Sequence, residues 1–224
     1  MFGDIPGNYL KRLSGEDRHV LIGAAVGIGA DGYANGVVML TPQLQGSAYL
    51  KHHLVPFGEF VPAGFQWFLD LMRIPMSNFS AGGLRQEALS FKDQSIMPNI
   101  CYEDLFGEEL IRNVPQATLL INLSNTAWFG DSLAQPQHLQ IARMRALETG
   151  RMMLRATNTG MTAAIAPDGS VAAALPAFTR AALTVEAQGY TGLTPYARFG
   201  NWSVLLLIAA LLGPAAWRCL RRRS

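Results

Sequence analysis

Short apolar segments of strand length alternate with a helical segment through the middle of the chain. Residues 95–101 and 117–123 are apolar runs that suit buried strands, and residues 153–158 form a third. Between the second and the third, residues 137–151 repeat apolar side chains near the helical period. Because strands and helices alternate, the pattern predicts an α/β fold or a layered α+β sandwich.

Weaker signals extend this pattern toward both ends of the sequence. Asp168 and Gly169 mark a turn between two strands, and residues 42–46 carry the turn signal of a hairpin-like pair. Residues 189–200 are expected to be a linker. The remaining expected strands are residues 19–28, 36–41, 47–51, 162–167 and 171–175, and the remaining expected helices are residues 8–13, 65–73 and 104–113.

The C-terminal segment differs from the rest of the chain because residues 202–217 contain no charged side chain. As a helix this segment would be about 24 Å long, somewhat shorter than the ~30 Å core of a bilayer. Trp202, Trp217 and the arginines that begin at Arg218 are typical of the flanks of a membrane span. We expect a transmembrane helix over residues 199–218, with a basic cytoplasmic tail over residues 219–224 and the preceding part in the periplasm. The alternative is a buried C-terminal helix.

Composition narrows the classes of protein. Hydrophobic residues make up 50% of the chain and charged residues 15%, which excludes a disordered chain. The formal charge is only +2, so the composition gives no reason to expect nucleic-acid binding. The two cysteines, Cys101 and Cys219, are far apart and predict no disulfide framework, and no Cys/His cluster has zinc-ligand spacing. We expect neither a metal nor a cofactor.

A first group of chemically capable residues lies in the segment KHHLVPFGEFVP. Lys51 ends an expected strand and is followed by a loop that contains Pro56 and Gly58. A lysine presented to a cleft can stabilise an oxyanion or exchange a proton, and Glu59 is a candidate partner for it. The alternative is a solvated strand end with an ordinary ion pair.

A second group lies in IMPNICYEDLFGEEL, where an apolar strand runs into Cys101. A cysteine at a strand-to-helix turn can lie near backbone N–H groups that stabilise a thiolate and an oxyanion. A third group, Asn122, Ser124 and Asn125, follows the next strand in INLSNTAWFGDS. Strand ends often line clefts in α/β architectures. An inert packed cysteine and a capped loop are the alternatives.

Five segments together resemble the apolipoprotein N-acyltransferase family of the nitrilase superfamily. They occur in the family order over residues 48–202 and read KHHLVPFGEFVP, NICYEDLFG, INLSNTAWFG, QHLQIARMRALETGRMMLRATNTGMTA and GLTPYARFGNW. The resemblance implies a nitrilase-like α-β-β-α sandwich, here partial and assigned to residues 1–198. It also implies acyl transfer from a phospholipid to an apolipoprotein at the cell inner membrane.

The resemblance also implies roles for single residues. Cys101 matches the nucleophile and Lys51 the lysine of the superfamily's Glu–Lys–Cys triad. Glu59 matches a supporting carboxylate near that lysine, and Tyr102 and Glu103 match the family's Cys-Tyr-Glu run. The sulfur of Cys101 would carry the acyl chain as a thioester, while Lys51 and backbone N–H groups near Tyr102 stabilise the oxyanion.

The sequence departs from the family pattern in two places. Thr126 stands where the family most often has an aspartate, which we interpret as a tolerated variation. The general-base glutamate is expected before Lys51, and the role is not assigned to Glu16, the only glutamate among residues 1–50. We therefore expect a chain that begins just after the base segment and lacks the family's N-terminal membrane helices.

Three other interpretations remain open at this point. The first is a membrane-tethered carbon–nitrogen hydrolase that uses the same Cys and Lys on a small amide. The second is a partial chain that keeps the fold without activity. Because the base glutamate is expected to be missing, we expect residues 1–224 alone to be inactive, and thioester formation on Cys101 would refute this. The third is a papain-like Cys/His pair, for which substitution of His52, His53 and His138 should abolish activity, whereas we expect mild effects.

Overall fold

Two β-sheets form the core of the fold. The computed structural model describes residues 18–29, 32–41, 43, 45–65, 67 and 79–221, with the backbone alone for residues 214–220. The first sheet is antiparallel and contains β1 (Val20–Ile28), β2 (Gly32–Leu40) and β3 (Gly46–Leu50) in that order. Its central strand pairs Val38 with Ile22 on one side and with Ala48 on the other.

The second sheet has six strands and a parallel centre. Its order follows the sequence: β4 (Leu89–Phe91), β5 (Gln94–Ile100), β6 (Leu119–Ser124), β7 (Met152–Thr157), β8 (Ala163–Ile165) and β9 (Val171–Ala174). The pairs β5–β6 and β6–β7 are parallel, and the flanking pairs are antiparallel. The central strands are almost continuously apolar because parallel strands are buried on both faces.

The two sheets share one hydrophobic core. Met97, Leu120 and Met153 come from the parallel centre of the second sheet, and Val37 and Tyr49 join the same buried cluster from the first sheet. Removing these side chains from water is the main favourable contribution to folding. The packed core therefore fixes the end of β3 relative to the ends of β5, β6 and β7.

The helices lie at the ends of these strands. A 3-10 turn, Cys101–Leu105, follows β5 and leads into the short helix α1 (Gly107–Leu110). The longest helix of the α/β body, α2 (Ala134–Thr149), connects β6 to β7 and ends at Gly150, whose φ of 62° gives a left-handed C-terminal cap. After β9 come α3 (Pro195–Phe199) and α4 (Trp202–Arg221).

Most expected strands are confirmed, and two other expectations are wrong. Residues 104–113 are not one helix but parts of the 3-10 turn and α1, because Phe106 has non-helical dihedral angles (φ −99°, ψ 71°). Residues 189–200 are not a plain linker, since they contain α3. The expected helix at residues 8–13, and most of the one at residues 65–73, lie outside the described residues.

The C-terminal helix α4 covers most of the segment for which a membrane span is expected. In the part of the chain that the structure describes, no helix combines the length and apolarity needed to cross a bilayer. The expectation of a transmembrane helix over residues 199–218 therefore stays a prediction.

Candidate functional site

The carboxyl ends of the parallel strands meet at one edge of the second sheet. Cys101 follows β5 there, Asn125 follows β6, and Asn158 follows β7. Lys51 follows β3 of the first sheet. Polar groups at this edge of an α/β sheet commonly line a binding cleft.

Lys51 is almost fully buried and is held by Glu59. Its Nζ donates to both carboxylate oxygens of Glu59, at 2.7 and 2.9 Å, and the lysine is only 1% exposed. Glu59 also accepts hydrogen bonds from Asn35 Nδ2 and from the backbone N–H of Val55, both at 2.8 Å. The loop after β3 therefore surrounds the carboxylate of Glu59. The negative charge of this carboxylate compensates the buried ammonium of Lys51.

Cys101 occupies a strained position between β5 and the 3-10 turn. Its φ of 55° lies in the left-handed region, which side chains with a Cβ rarely adopt. The cysteine is a half-buried free thiol. Burial raises the pKa of the Cys101 thiol above its ordinary value, while the charge of Lys51 and the backbone N–H of Tyr102 act in the opposite direction.

Glu103 ties the segment of Lys51 to the segment of Cys101. Its buried carboxylate accepts hydrogen bonds from the backbone N–H groups of His52, His53 and Ile100, at 2.7, 3.1 and 2.6 Å. The hydroxyl of Tyr49 donates to the same carboxylate at 3.2 Å. Burial raises the pKa of Glu103, and the three backbone N–H groups partly offset that rise. Its role in this structure is to hold two backbone segments together.

Tyr102 lies across the loop that carries Lys51. Its hydroxyl donates to the carbonyl oxygen of Leu54 at 2.8 Å, and Lys51 Nζ lies 5.4 Å from the centre of its ring. Burial, followed by the charge of Glu59, raises the pKa of Tyr102 to about 12. The tyrosine therefore remains a neutral donor over the physiological pH range.

A ring of buried polar groups lies beneath Cys101, and sequence reasoning missed most of it. The carbonyl oxygen of Cys101 accepts hydrogen bonds from Asn122 Nδ2 at 2.9 Å and from His138 Nε2 at 3.2 Å. Asp104 accepts from His138 Nε2 at 3.0 Å and from Arg155 at 3.3 Å, and Arg155 also donates to Asn122 Oδ1 at 2.9 Å. All four side chains are buried.

Of the third group predicted from the sequence, Asn122 and Ser124 are buried near this ring, and Asn125 lies at the surface. Ser124 Oγ donates to Asn122 Oδ1 at 2.6 Å, so both residues belong to the buried network. Asn125 instead accepts a hydrogen bond from Asn158 Nδ2 at 2.8 Å on the exposed side. Thr126 is fully buried, with its backbone N–H donating to Asn158 Oδ1 and its hydroxyl 3.2 Å from that of Thr159. A threonine therefore has a partner at this position.

The structure brings the five predicted site residues together. Lys51 and Glu59 form an ion pair, and the ring of Tyr102 lies over Lys51. Glu103 joins the segment after Lys51 to the segment before Cys101 by accepting backbone hydrogen bonds from both. Of the histidines near Lys51, His53 lies 3.0 Å from Glu109. His138 contacts the carbonyl of Cys101, not its sulfur, which is not the geometry of a papain-like pair. Within the described ranges, no group of three or more His, Cys, Asp or Glu could hold a metal ion.

Solved structures of two hydrolases share this fold. A carbon–nitrogen hydrolase from Helicobacter pylori aligns with a TM-score of 0.60 over 77% of this chain and 64% of its own, at 14% identity. An amidase from Nesterenkonia sp. aligns with a TM-score of 0.58 over 76% of this chain and 62% of its own, at 16% identity. The fold is thus the nitrilase-like α/β fold.

Sequence comparison gives the family. The profile of the family described as Carbon-nitrogen hydrolase matches residues 8–196, and the chain belongs to this family. Two curated relatives are named apolipoprotein N-acyltransferase: one from Ralstonia nicotianae, 52% identical over 86% of this chain, and one from Nitrosomonas europaea, 51% identical over 92%. The chain spans only 39% and 43% of the length of these two relatives.

Proposed function

We propose that the protein is an N-acyltransferase that moves a fatty acyl chain from a phospholipid to the α-amino group of the diacylglyceryl-cysteine of apolipoproteins. The observation that carries this proposal is a thiol in a strained turn, Cys101, whose pKa is raised by burial but lowered by the charge of Lys51 in the buried Lys51–Glu59 pair. The names of the relatives, which match most of the chain at about half identity, support this reaction over others of the family.

In the first half of the reaction, the sulfur of Cys101 attacks the ester carbonyl carbon of the phospholipid. The ammonium of Lys51 and the N–H of Tyr102 stabilise the negative oxygen that develops on that carbon. The C–O bond then breaks, the leaving oxygen takes up a proton, and a lysophospholipid departs from the thioester. The base that receives the thiol proton is assigned to no residue of this chain.

In the second half, the α-amino group of the apolipoprotein attacks the thioester carbon. The same two donors stabilise the second oxyanion. As the amide forms, the thiolate of Cys101 leaves and takes up the proton that the amine loses. Glu59 holds Lys51 in place through both halves. Glu103 supports the site by fixing the backbone on both sides, and Tyr102 covers Lys51 and supplies the N–H donor. No step requires a cofactor or metal.

We also propose where this chemistry takes place. The partial catalytic domain comprises residues 1–198, residues 199–218 cross the cell inner membrane, and residues 219–224 form the cytoplasmic tail. Leu206, Leu211 and Leu212 are all more than half exposed along α4, which suits contact with lipid. A periplasmic catalytic domain close to the bilayer would meet both lipid-bearing substrates. Alkaline carbonate extraction of membranes should leave residues 1–224 bound and release residues 1–198.

A second candidate function is hydrolysis of a small amide. The solved structures that share the fold include an amidase, and the same thiol and lysine would serve that reaction. Water would then attack the thioester in place of an amine. The identity of the relatives favours the transferase.

A mass measurement on the intact chain tests the proposal. The purified chain is incubated with micelles of phosphatidylethanolamine that carries a labelled acyl chain. One labelled chain on Cys101 would support the proposal and refute the expected inactivity of residues 1–224 alone. Cys101→Ala should abolish the adduct, and the matched variant Cys219→Ala should keep it. A folded chain whose Cys101 reacts with iodoacetamide but gains no acyl chain contradicts the proposal, and ammonia release from butyramide would favour the hydrolase.

A further inference from the structure

We propose that the buried ring of Asp104, His138, Arg155 and Asn122 is a positioning device that aims the backbone N–H of Tyr102 at the reacting centre. The ring contacts Cys101 only through its carbonyl oxygen, which accepts from Asn122 and His138. The inference rests on the proposed role of Cys101 as nucleophile, and it assigns these four residues a part in that role.

The geometry of the peptide bond links the carbonyl to the N–H. In a trans peptide the carbonyl oxygen of Cys101 and the N–H of Tyr102 point in opposite directions from one rigid plane. Two donors on the buried side hold the oxygen, so the N–H points to the opposite side of the peptide plane, away from the ring. On that side it lowers the pKa of the Cys101 thiol. Rotation of this plane would remove the N–H from both the thiolate and the oxyanion.

Each of the two donors is itself fixed in orientation. Asn122 Oδ1 accepts from Arg155 at 2.9 Å and from Ser124 Oγ at 2.6 Å, so its Nδ2 must face Cys101. His138 Nε2 lies between two acceptors, the Cys101 carbonyl and Asp104, so this nitrogen carries the proton. Arg155 bonds both Asp104 and Asn122 and thereby closes the ring.

The ring draws its members from separate elements that all meet beneath Cys101. Asp104 lies in the 3-10 turn, Asn122 on β6, His138 on α2 and Arg155 on β7. A fully buried ion pair such as Asp104–Arg155 is a poor source of stability compared with apolar packing. Positioning the Tyr102 N–H in the strained turn explains why the buried Asp104–Arg155 pair is present despite its cost in stability.

The reactivity of Cys101 toward iodoacetamide tests this positioning without requiring acyl transfer. We would measure the rate against pH in the full chain in detergent, in a Cys219→Ser background where Cys101 is the sole thiol. His138→Leu removes one donor from the carbonyl. Because loss of the Tyr102 N–H from the sulfur raises the thiol pKa, alkylation at pH 7 should slow about tenfold.

Two further variants separate positioning from stability. His138→Gln places an amide N–H near the position of Nε2 and should return the pH profile to within about twofold of the parent. Gln135→Leu lies on the same helix and removes buried hydrogen bonds to Thr126 and Gly130, but none to Cys101. It should lower the melting temperature and leave the pH profile in place.

The charged groups that act on Cys101 are unchanged in all of these variants. They are Lys51, Asp104, Glu59 and Arg155, so a shift in the profile is not a loss of one of their charges. The leucine and glutamine replacements of His138 are both neutral, which separates the donor from any charge on the histidine.

Three results would overturn the inference: equal profile shifts in His138→Leu and Gln135→Leu, no shift in folded His138→Leu, or no recovery in folded His138→Gln. If His138→Leu does not fold, the shorter amide of His138→Asn decides, with the same expected slowing. Failure of the thioester experiment together with the expected alkylation pattern would contradict the proposed function alone.

Discussion

Replacement of Lys51 by methionine separates the structural part of its ion pair from the chemical part. Lys51→Met keeps the volume of a long side chain but leaves the carboxylate of Glu59, itself only 12% exposed, without its cation. Removing one partner of a buried ion pair costs about 3–5 kcal/mol. Glu59 keeps its bonds from Asn35 and Val55, so we expect a loss near the lower limit, about 3 kcal/mol of unfolding free energy.

The double variant Lys51→Met/Glu59→Gln provides the comparison. It removes the uncompensated charge, and the amide oxygen of the glutamine can still accept one of the two remaining N–H donors. We therefore expect the double variant to recover about 2 kcal/mol of the loss, since a neutral buried pair avoids the cost of an unpaired ion. Arg180→Met, at an exposed arginine, is the control and should change stability by less than about 0.5 kcal/mol.

Urea unfolding followed by circular dichroism measures these differences, and alkylation of Cys101 measures the chemistry. Stability should return in the double variant but thiol reactivity should not, because the positive charge of Lys51 lowers the thiol pKa and is absent in both variants. The reasoning is refuted if Lys51→Met is as stable as the parent. It is equally refuted if the double variant alkylates as fast as the parent at pH 7.

Three smaller changes test other parts of the site. Glu103→Gln turns an amide N–H toward backbone N–H donors, so the free energy of unfolding measured in urea should fall by about 1–3 kcal/mol. An unchanged free energy would show that the hydrogen bonds of Glu103 are dispensable. Gly82→Ala would overlap the carbonyl of Leu50, so its melting temperature should fall, whereas an unchanged value would mean that this backbone yields easily. Burial raises the pKa of the Cys101 thiol, so its alkylation rate should still increase above about pH 8.5, and a plateau below that pH would contradict this.

The strands could be predicted because each one carries its own local signal. The run at residues 95–101 is observed as β5 (Gln94–Ile100), and the run at 117–123 as β6 (Leu119–Ser124). β4 (Leu89–Phe91) was missed because three residues are too few to establish a period. Local patterns therefore predict a strand wherever it is long enough to show alternating apolar and polar residues or a continuous apolar run.

The helix expected at residues 104–113 failed for a tertiary reason. A Cβ on Gly107 would overlap the side chains of Arg145 and Tyr196. Long-range packing from α2 and α3 thus leaves little room for a side chain at the start of α1, and the segment breaks into two short pieces around Phe106. No periodicity within the segment reports on contacts with Arg145 and Tyr196, which lie 38 and 89 residues after Gly107.

The candidate site divides in the same way. The family motifs located Lys51, Glu59 and Cys101. The structure pairs Lys51 with Glu59 and places Lys51 Nζ 5.4 Å from the ring centre of Tyr102, the residue after Cys101. The ring beneath Cys101 gave almost no local signal, because His138 and Arg155 lie 34 and 51 residues after Asp104. Asn122 was noticed as a polar residue at the end of an apolar strand, and His138 was considered only as a member of a papain-like pair. Buried partners on different strands become visible only once the order of the sheet is known.

Two separate sets of hydrogen bonds hold the backbone before and after Cys101. On the preceding side, Glu103 accepts from the N–H of Ile100 and from the two N–H groups that follow Lys51. On the following side, the ring holds the carbonyl of Cys101 through Asn122 and His138. A cysteine with a left-handed φ would relax to an ordinary backbone conformation if the backbone on either side of it were free to move. Because both sides are fixed by buried groups, the donor and the sulfur are already in position before a substrate arrives, which is the condition for electrostatic stabilisation of an oxyanion.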